Sequence, residues 1–82
     1  MKIIGFKRSD FTTKDGVAIT GYNVYVANEI APNQGKGVQV DRIYLSDNKI
    51  AREKIDLDAL LEREVRILYN RFAKPDSISL ID

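Results

Sequence analysis

The side chains in this chain that could do chemistry are cations and rings. It carries thirteen lysines and arginines and seven aromatic residues: Phe6, Phe11, Tyr22, Tyr25, Tyr44, Tyr69 and Phe72. Several cations stand beside a ring: Lys7 and Arg8 follow Phe6, Arg42 precedes Tyr44, and Arg71 and Lys74 flank Phe72. That combination suits a single-stranded nucleic acid, whose phosphates are met by cations and whose unpaired bases stack on exposed rings at about 1–3 kcal/mol each. The ordinary alternative is that rings on strands fill the core of a small β domain. Tyr25 and Tyr44 stand out because each alternates away from the clearest aliphatic residues of its strand. The candidate nucleic-acid-binding set is Lys7, Arg8, Tyr25, Lys36, Arg42, Tyr44, Arg71 and Lys74.

Other chemistries have less to work with. There is no cysteine and no histidine. Their absence removes disulfides, thiolate and imidazole metal sites, Cys–His and Ser–His nucleophile pairs, and the usual general base at neutral pH. Gln34-Gly35-Lys36-Gly37 is glycine-rich with a lysine, but it lacks the spacing and final hydroxyl residue of a P-loop and falls between two strands. It reads as a hairpin loop able to drape over a partner. Asp56 and Asp58 sit where a helix begins, and Asp10 and Asp15 sit beside a turn, so capping and turn chemistry account for all four. The chain therefore reads as non-enzymatic, with no cofactor and no metal site.

Eighty-two residues make one domain, residues 1–82, with a modest core. The net charge of +1 is far from the strongly basic balance of many duplex binders. Its distribution is uneven: +2 over residues 1–45, −2 over 46–64 and +1 over 65–82. The strand-forming parts carry the positive charge and the helical part the negative. No apolar run approaches the roughly 20 residues that span a bilayer, and a cytoplasmic location is expected.

The elements that must position these groups follow from local patterns. Lys2 to Thr13 is strand-like, with Gly5 and Ser9-Asp10 as places for a bulge or bend. Lys14-Asp15-Gly16 is a hairpin turn, because Asp-Gly tolerates positive φ. Val17 to Asn28 returns as a second strand, Glu29 to Gly37 loops, and Val38 to Ser46 forms a third. Within that third strand the apolar face changes near Asp41, which suggests a bulge there. Ser46 or Asp47 can cap a short turn. Leu57, Leu60 and Leu61 give the spacing of one helix, capped by Asp56 or Asp58 and reaching about Arg63. Glu64 to Phe72 and Asp76 to Ile81 complete five strands. A helix between the third and fourth strands matches the order of an OB-fold, so the expected architecture is a mainly β, five-stranded OB-like Greek-key barrel.

Two stretches carry a family resemblance: GFKRSDFTTKDGVAITGYNVYVA, residues 5–27, and LEREVRILYNRFAKPDSISLI, residues 61–81. They resemble small proteins encoded near replication genes of Gram-positive phages and conjugative elements. Those are similar in turn to the helix-destabilising, single-stranded-DNA-binding proteins of filamentous phages. The shared features are the Phe-Thr-x-Lys-Asp-Gly hairpin, Phe11 to Gly16, and a Val-x-Ile-x-Tyr strand, Val65 to Tyr69, that turns back into a Ser-Ile strand. The resemblance implies an OB-like barrel, often dimeric, that binds single strands without sequence preference. The resulting expectation is a homodimer whose partner is single-stranded DNA or RNA, acting in the replication or transfer of a mobile element. The competing expectation is a protein-interaction or regulatory module with no nucleic-acid role, which the near-neutral charge favours.

Overall fold

Alternating apolar residues and well-placed turn residues cut the chain into short strands. The computed structural model describes residues 1–81. Along it run β1 (Lys2–Arg8), β2 (Phe11–Thr12), β3 (Ala18–Ile19), β4 (Gly21–Glu29), β5 (Val38–Ser46), α1 (Asp47–Arg52), α2 (Leu57–Leu60), β6 (Val65–Tyr69) and β7 (Pro75–Leu80). The central sheet is antiparallel in the order β1-β4-β5. Period-2 alternation puts Ile3, Val24, Val26 and Leu45 on one face of it, each at most 1% exposed. Leu57 from α2 and Val65 and Ile67 from β6 close over that face to complete the core.

The Asp15-Gly16 turn joins β2 to β3, with Gly16 at φ +82°. The N–H of Thr13 bonds the Val17 carbonyl at 2.9 Å across the turn. The long hairpin is not continuous, because Ser9-Asp10 on one side and Thr20 on the other interrupt the ladder. Gly21 is required at the break. A Cβ there would lie 2.3 Å from the Leu45 carbonyl oxygen and 2.8 Å from the Ser46 Cα.

The barrel expected from the element order does not form. Among the described residues three separate sheets are present, β1-β4-β5, β2-β3 and β6-β7, and none closes on itself. A closed barrel needs every strand paired on both edges. Here β2 and β3 pair only with each other, two residues each. The β6–β7 hairpin reaches the central sheet through a single bridge, Lys2 with Glu64, helped by backbone bonds such as that from the Val65 N–H to the Met1 carbonyl at 2.8 Å. Among the described residues no strand pairs with the outer edge of β5.

The single helix between the third and fourth strands is also corrected. Between β5 and β6 the described residues form two: α1 has six residues, and α2 stops after four. Each has its own cap, Ser46 Oγ accepting from the Lys49 N–H and an Asp56 carboxylate oxygen accepting from the Ala59 N–H, both at 3.2 Å. Lys54 at φ +54° separates the two helices, and Leu61, at ψ 130° and followed by Glu62 at φ +63°, ends the extension that was expected to reach Arg63. Two local predictions fare differently. A bulge does occur at Gly5, where the register shifts between Ile3 and Gly5. None occurs near Asp41, because β4 and β5 stay in register from Gly21 opposite Ser46 to Glu29 opposite Val38. Among the described residues no helix is long and apolar enough to cross a membrane.

Candidate nucleic-acid interface

Residues directly opposite on antiparallel strands share a face of the sheet, with Cβ atoms about 4.5–5.5 Å apart. The pairing therefore assigns the face opposite the core row by row. Lys7, Asn23 and Tyr44 form one row; Gly5, Tyr25 and Arg42 form the next; Lys2, Ala27 and Val40 form the third. Rows repeat about every 7 Å along the strands. Four of the eight candidates, Lys7, Tyr25, Arg42 and Tyr44, thus stand on one surface. No carboxylate occupies these rows; Glu29, opposite Val38, is the first acid met along them. Lys7 and Arg42 are exposed, and among the described residues neither takes part in an ion pair.

The two tyrosines are not equivalent. Tyr25 is half-buried beside Gly5, which has no side chain to cover the ring; a Cβ there would sit 3.9 Å from Tyr25 Cδ2. Tyr44 is held on several sides. Its hydroxyl donates to the Ser9 carbonyl at 3.1 Å, and Phe11 packs edge-on against its ring at 5.8 Å. Loss of solvent around the phenol, followed by the negative charges of Asp10 and Asp47, pushes its pKa above the ordinary tyrosine value. Tyr25 is the freer stacking surface, whereas Tyr44 anchors the β2–β3 hairpin.

Arg8 faces the other way. Its guanidinium forks onto Asp47 at 2.8 and 2.7 Å, and its Nε reaches Asp10 at 2.9 Å. Its Cζ also lies 5.2 Å from the centre of the Tyr22 ring. The hydrogen bonds Arg8 donates to Asp47 and then to Asp10 raise its pKa further, so the group stays charged. In return the Arg8 bond, and then one from Thr20, hold the Asp47 carboxyl below its usual range. Arg8 thus ties the end of β1 to the start of α1, and its charge is already matched by two acids.

The remaining cations lie at the rims. Lys36 is exposed in the β4–β5 loop, which is closed by an Ile30 N–H to Gly37 carbonyl bond of 3.0 Å. Arg71 sits in the β6–β7 turn with its Cζ 5.0 Å above the Phe72 ring, and that ring is 67% exposed. Lys74 reaches back to the main surface, because it lines an open cleft of about 370 Å³ with Tyr44, Ser46, Lys49 and Pro75. The structure therefore gathers Lys7, Tyr25, Arg42, Tyr44 and Lys74, leaves Lys36 and Arg71 on flanking turns, and engages Arg8 elsewhere.

Two cations were missed in the sequence. Lys2 and Lys7 have opposite parity, so alternation alone puts them on opposite faces. The extra residue of the bulge restores them to the same one. Lys49 lies in the acidic helical stretch, yet its ammonium donates to the Pro75 carbonyl beside the cleft. Only the bulge had a local signal, at Gly5. Among the described residues no group of three or more acids or other ligating side chains is placed to hold a metal ion.

No known protein-family model matches this chain, no curated protein matches it, and no solved structure matches it.

Proposed function

We propose that the chain binds single-stranded nucleic acid, without sequence preference, on the outer face of the β1-β4-β5 sheet. The observation that carries this reading is the convergence of Lys7, Tyr25, Arg42 and Tyr44 in two adjacent rows free of carboxylates. A strand laid across those rows meets cations for its phosphates at Lys2, Lys7 and Arg42 and a ring for stacking at Tyr25. Lys74 extends the track at the Tyr44 end. Stacking and phosphate contacts carry no base-edge readout, so binding of this kind tolerates any sequence. Such a role fits the replication or transfer of a mobile element, in keeping with the resemblance of residues 5–27 and 61–81.

The test is fluorescence anisotropy with labelled oligo-dT and oligo-rU at low salt, with a thermal melt of each variant. Wild type binds. Tyr25→Ala loses about 1–3 kcal/mol of binding while keeping a cooperative melt. No wild-type binding at tens of micromolar protein rejects the reading.

A second reading, a protein-interaction module with no nucleic-acid role, is favoured by one feature of the same face. Val38 and Val40 are 62% and 52% exposed, and exposed apolar groups clustered together commonly mark protein contacts. Under that reading the oligonucleotide does not bind, and Tyr25→Ala changes nothing measurable by anisotropy.

A further inference from the structure

An edge strand presents unpaired N–H and C=O groups, and proteins usually guard such edges with lysine, proline, a bulge or a covering element. Over Val38–Arg42 the free edge of β5 has no lysine, proline, bulge or covering element, and its charges are confined to Asp41 and Arg42. The stretch reads Val-Gln-Val-Asp-Arg, keeps an unbroken register with β4, and is exposed at all five positions. Among the described residues, its backbone makes no hydrogen bond to any element other than β4. Only the far end of the strand has a neighbour, where Lys74 and Pro75 approach Tyr44 and Ser46.

We infer that this edge pairs with the same edge of a second copy, antiparallel and two-fold symmetric about Val40. The side chains select both the partner and the register. A two-fold axis normal to the sheet keeps each face on its own side, so the dyad must fall on one residue of the strand. Centred on Val40, it sets Val40 against its twin and Gln39 against the partner's Asp41, a donor facing an acceptor. Val38 then lies along the stem of the partner's Arg42. Gln39 and Asp41 already show this affinity within one chain, at 3.3 Å. Centring on Asp41 or Arg42 opposes like charges. Centring on Gln39 runs the pairing into Gly37, whose φ of +96° leaves the strand conformation. Centring on Ile43 sets Asp41 against the already buried Leu45.

The product is one six-stranded sheet in which the two outer faces adjoin on the same side. The pairing uses the edge alone and does not depend on nucleic-acid binding. Because five paired residues make a small interface, association is read at tens of micromolar rather than at high dilution.

Cross-linking tests the register, since the chain has no cysteine of its own. In Val40→Cys the two new thiols face each other across the dyad, within reach of the short Cβ separation a disulfide needs. In Val38→Cys they lie about 14 Å apart. Mild oxidation without nucleic acid is expected to convert Val40→Cys to covalent dimer and leave Val38→Cys as monomer. Sedimentation of the wild type is expected to show twice the 9.3 kDa chain mass. Val40→Lys, which alters an exposed residue outside the core, is expected to sediment as a folded monomer. A wild-type monomer at those concentrations, equal cross-linking of the two cysteine variants, or a Val40→Lys dimer overturns the proposal.

Discussion

The two faces of the β1-β4-β5 sheet are built from alternate residues of the same three strands, and they have opposite fates. One face sinks Ile3, Val24, Val26 and Leu45 to at most 1% exposure. The other presents Lys7, Arg42 and Val40 to solvent, with Tyr25 half-covered between them. The contrast shows how an 82-residue chain can keep its core apart from a surface open to solvent. Neighbours in sequence, such as Val24 and Tyr25, sit on opposite faces, so a change at one need not disturb the other.

The largest effect expected is on the buried face. Leu45→Ala removes a fully buried side chain and should cost about 2–5 kcal/mol of stability. Oligonucleotide affinity per folded molecule should stay unchanged. Denaturant titration beside anisotropy measures both, and a parallel loss of affinity would break the separation of the faces.

Gly21→Ala tests the seam between them. Its Cβ would press on the Leu45 carbonyl, so the sheet backbone must shift at an overpacking cost of about 1–3 kcal/mol. The Tyr44 hydroxyl lies 2.7 Å from the same point, so the Tyr44 bond to Ser9 is expected to weaken and the phenol to titrate closer to its ordinary value. Alkaline difference absorbance reads that change, and a Tyr44 titration that does not move refutes it.

A smaller effect concerns the exposed face. Arg42→Ala should leave the melt in place and reduce the slope of log affinity against log salt by about 0.7, the share of one phosphate contact on a single strand. Arg8→Ala should leave that slope alone, since its charge is matched by Asp10 and Asp47. Equal changes in slope would mean that the two arginines are not distinguished by their partners.

The smallest effect is acid sensitivity. Asp47 is held below its ordinary value of 3.8 by Arg8. The stability it contributes is therefore fully present above that value and is lost as pH falls through the lower folded one. Both partners are well exposed, so the contribution is small. Thermal melts of wild type and Asp47→Asn should differ near neutrality and converge in strong acid. Melts that stay equally far apart at every pH contradict the linkage.

Much of the candidate surface was legible in the chain. Tyr25 and Tyr44 alternate against Val24, Val26, Ile43 and Leu45, and that parity alone put them with Arg42 on the face away from the core. Lys2 was not legible, because a one-residue bulge reverses parity and its position depends on how β1 meets β4. The role of Arg8 was hidden as well, since Asp47 lies 39 residues away and only the fold brings it within reach.

Local chemistry sets the Asp15-Gly16 turn, the Ser46 and Asp56 caps, the run of strands and the inward face of each, because φ preference, capping and period-2 alternation act over a few neighbouring residues. Closure is a different matter. Whether five strands seal a barrel depends on which distant edges meet, and those contacts are won against loop-closure entropy rather than by any residue's own preference. Here the β6–β7 hairpin touches β1 at one bridge and packs Val65 and Ile67 into the core, which satisfies its apolar face without pairing it to β5. Tertiary packing therefore left the sheet open and the β5 edge free, and it tied Arg8 to Asp47 on the side away from the candidate surface.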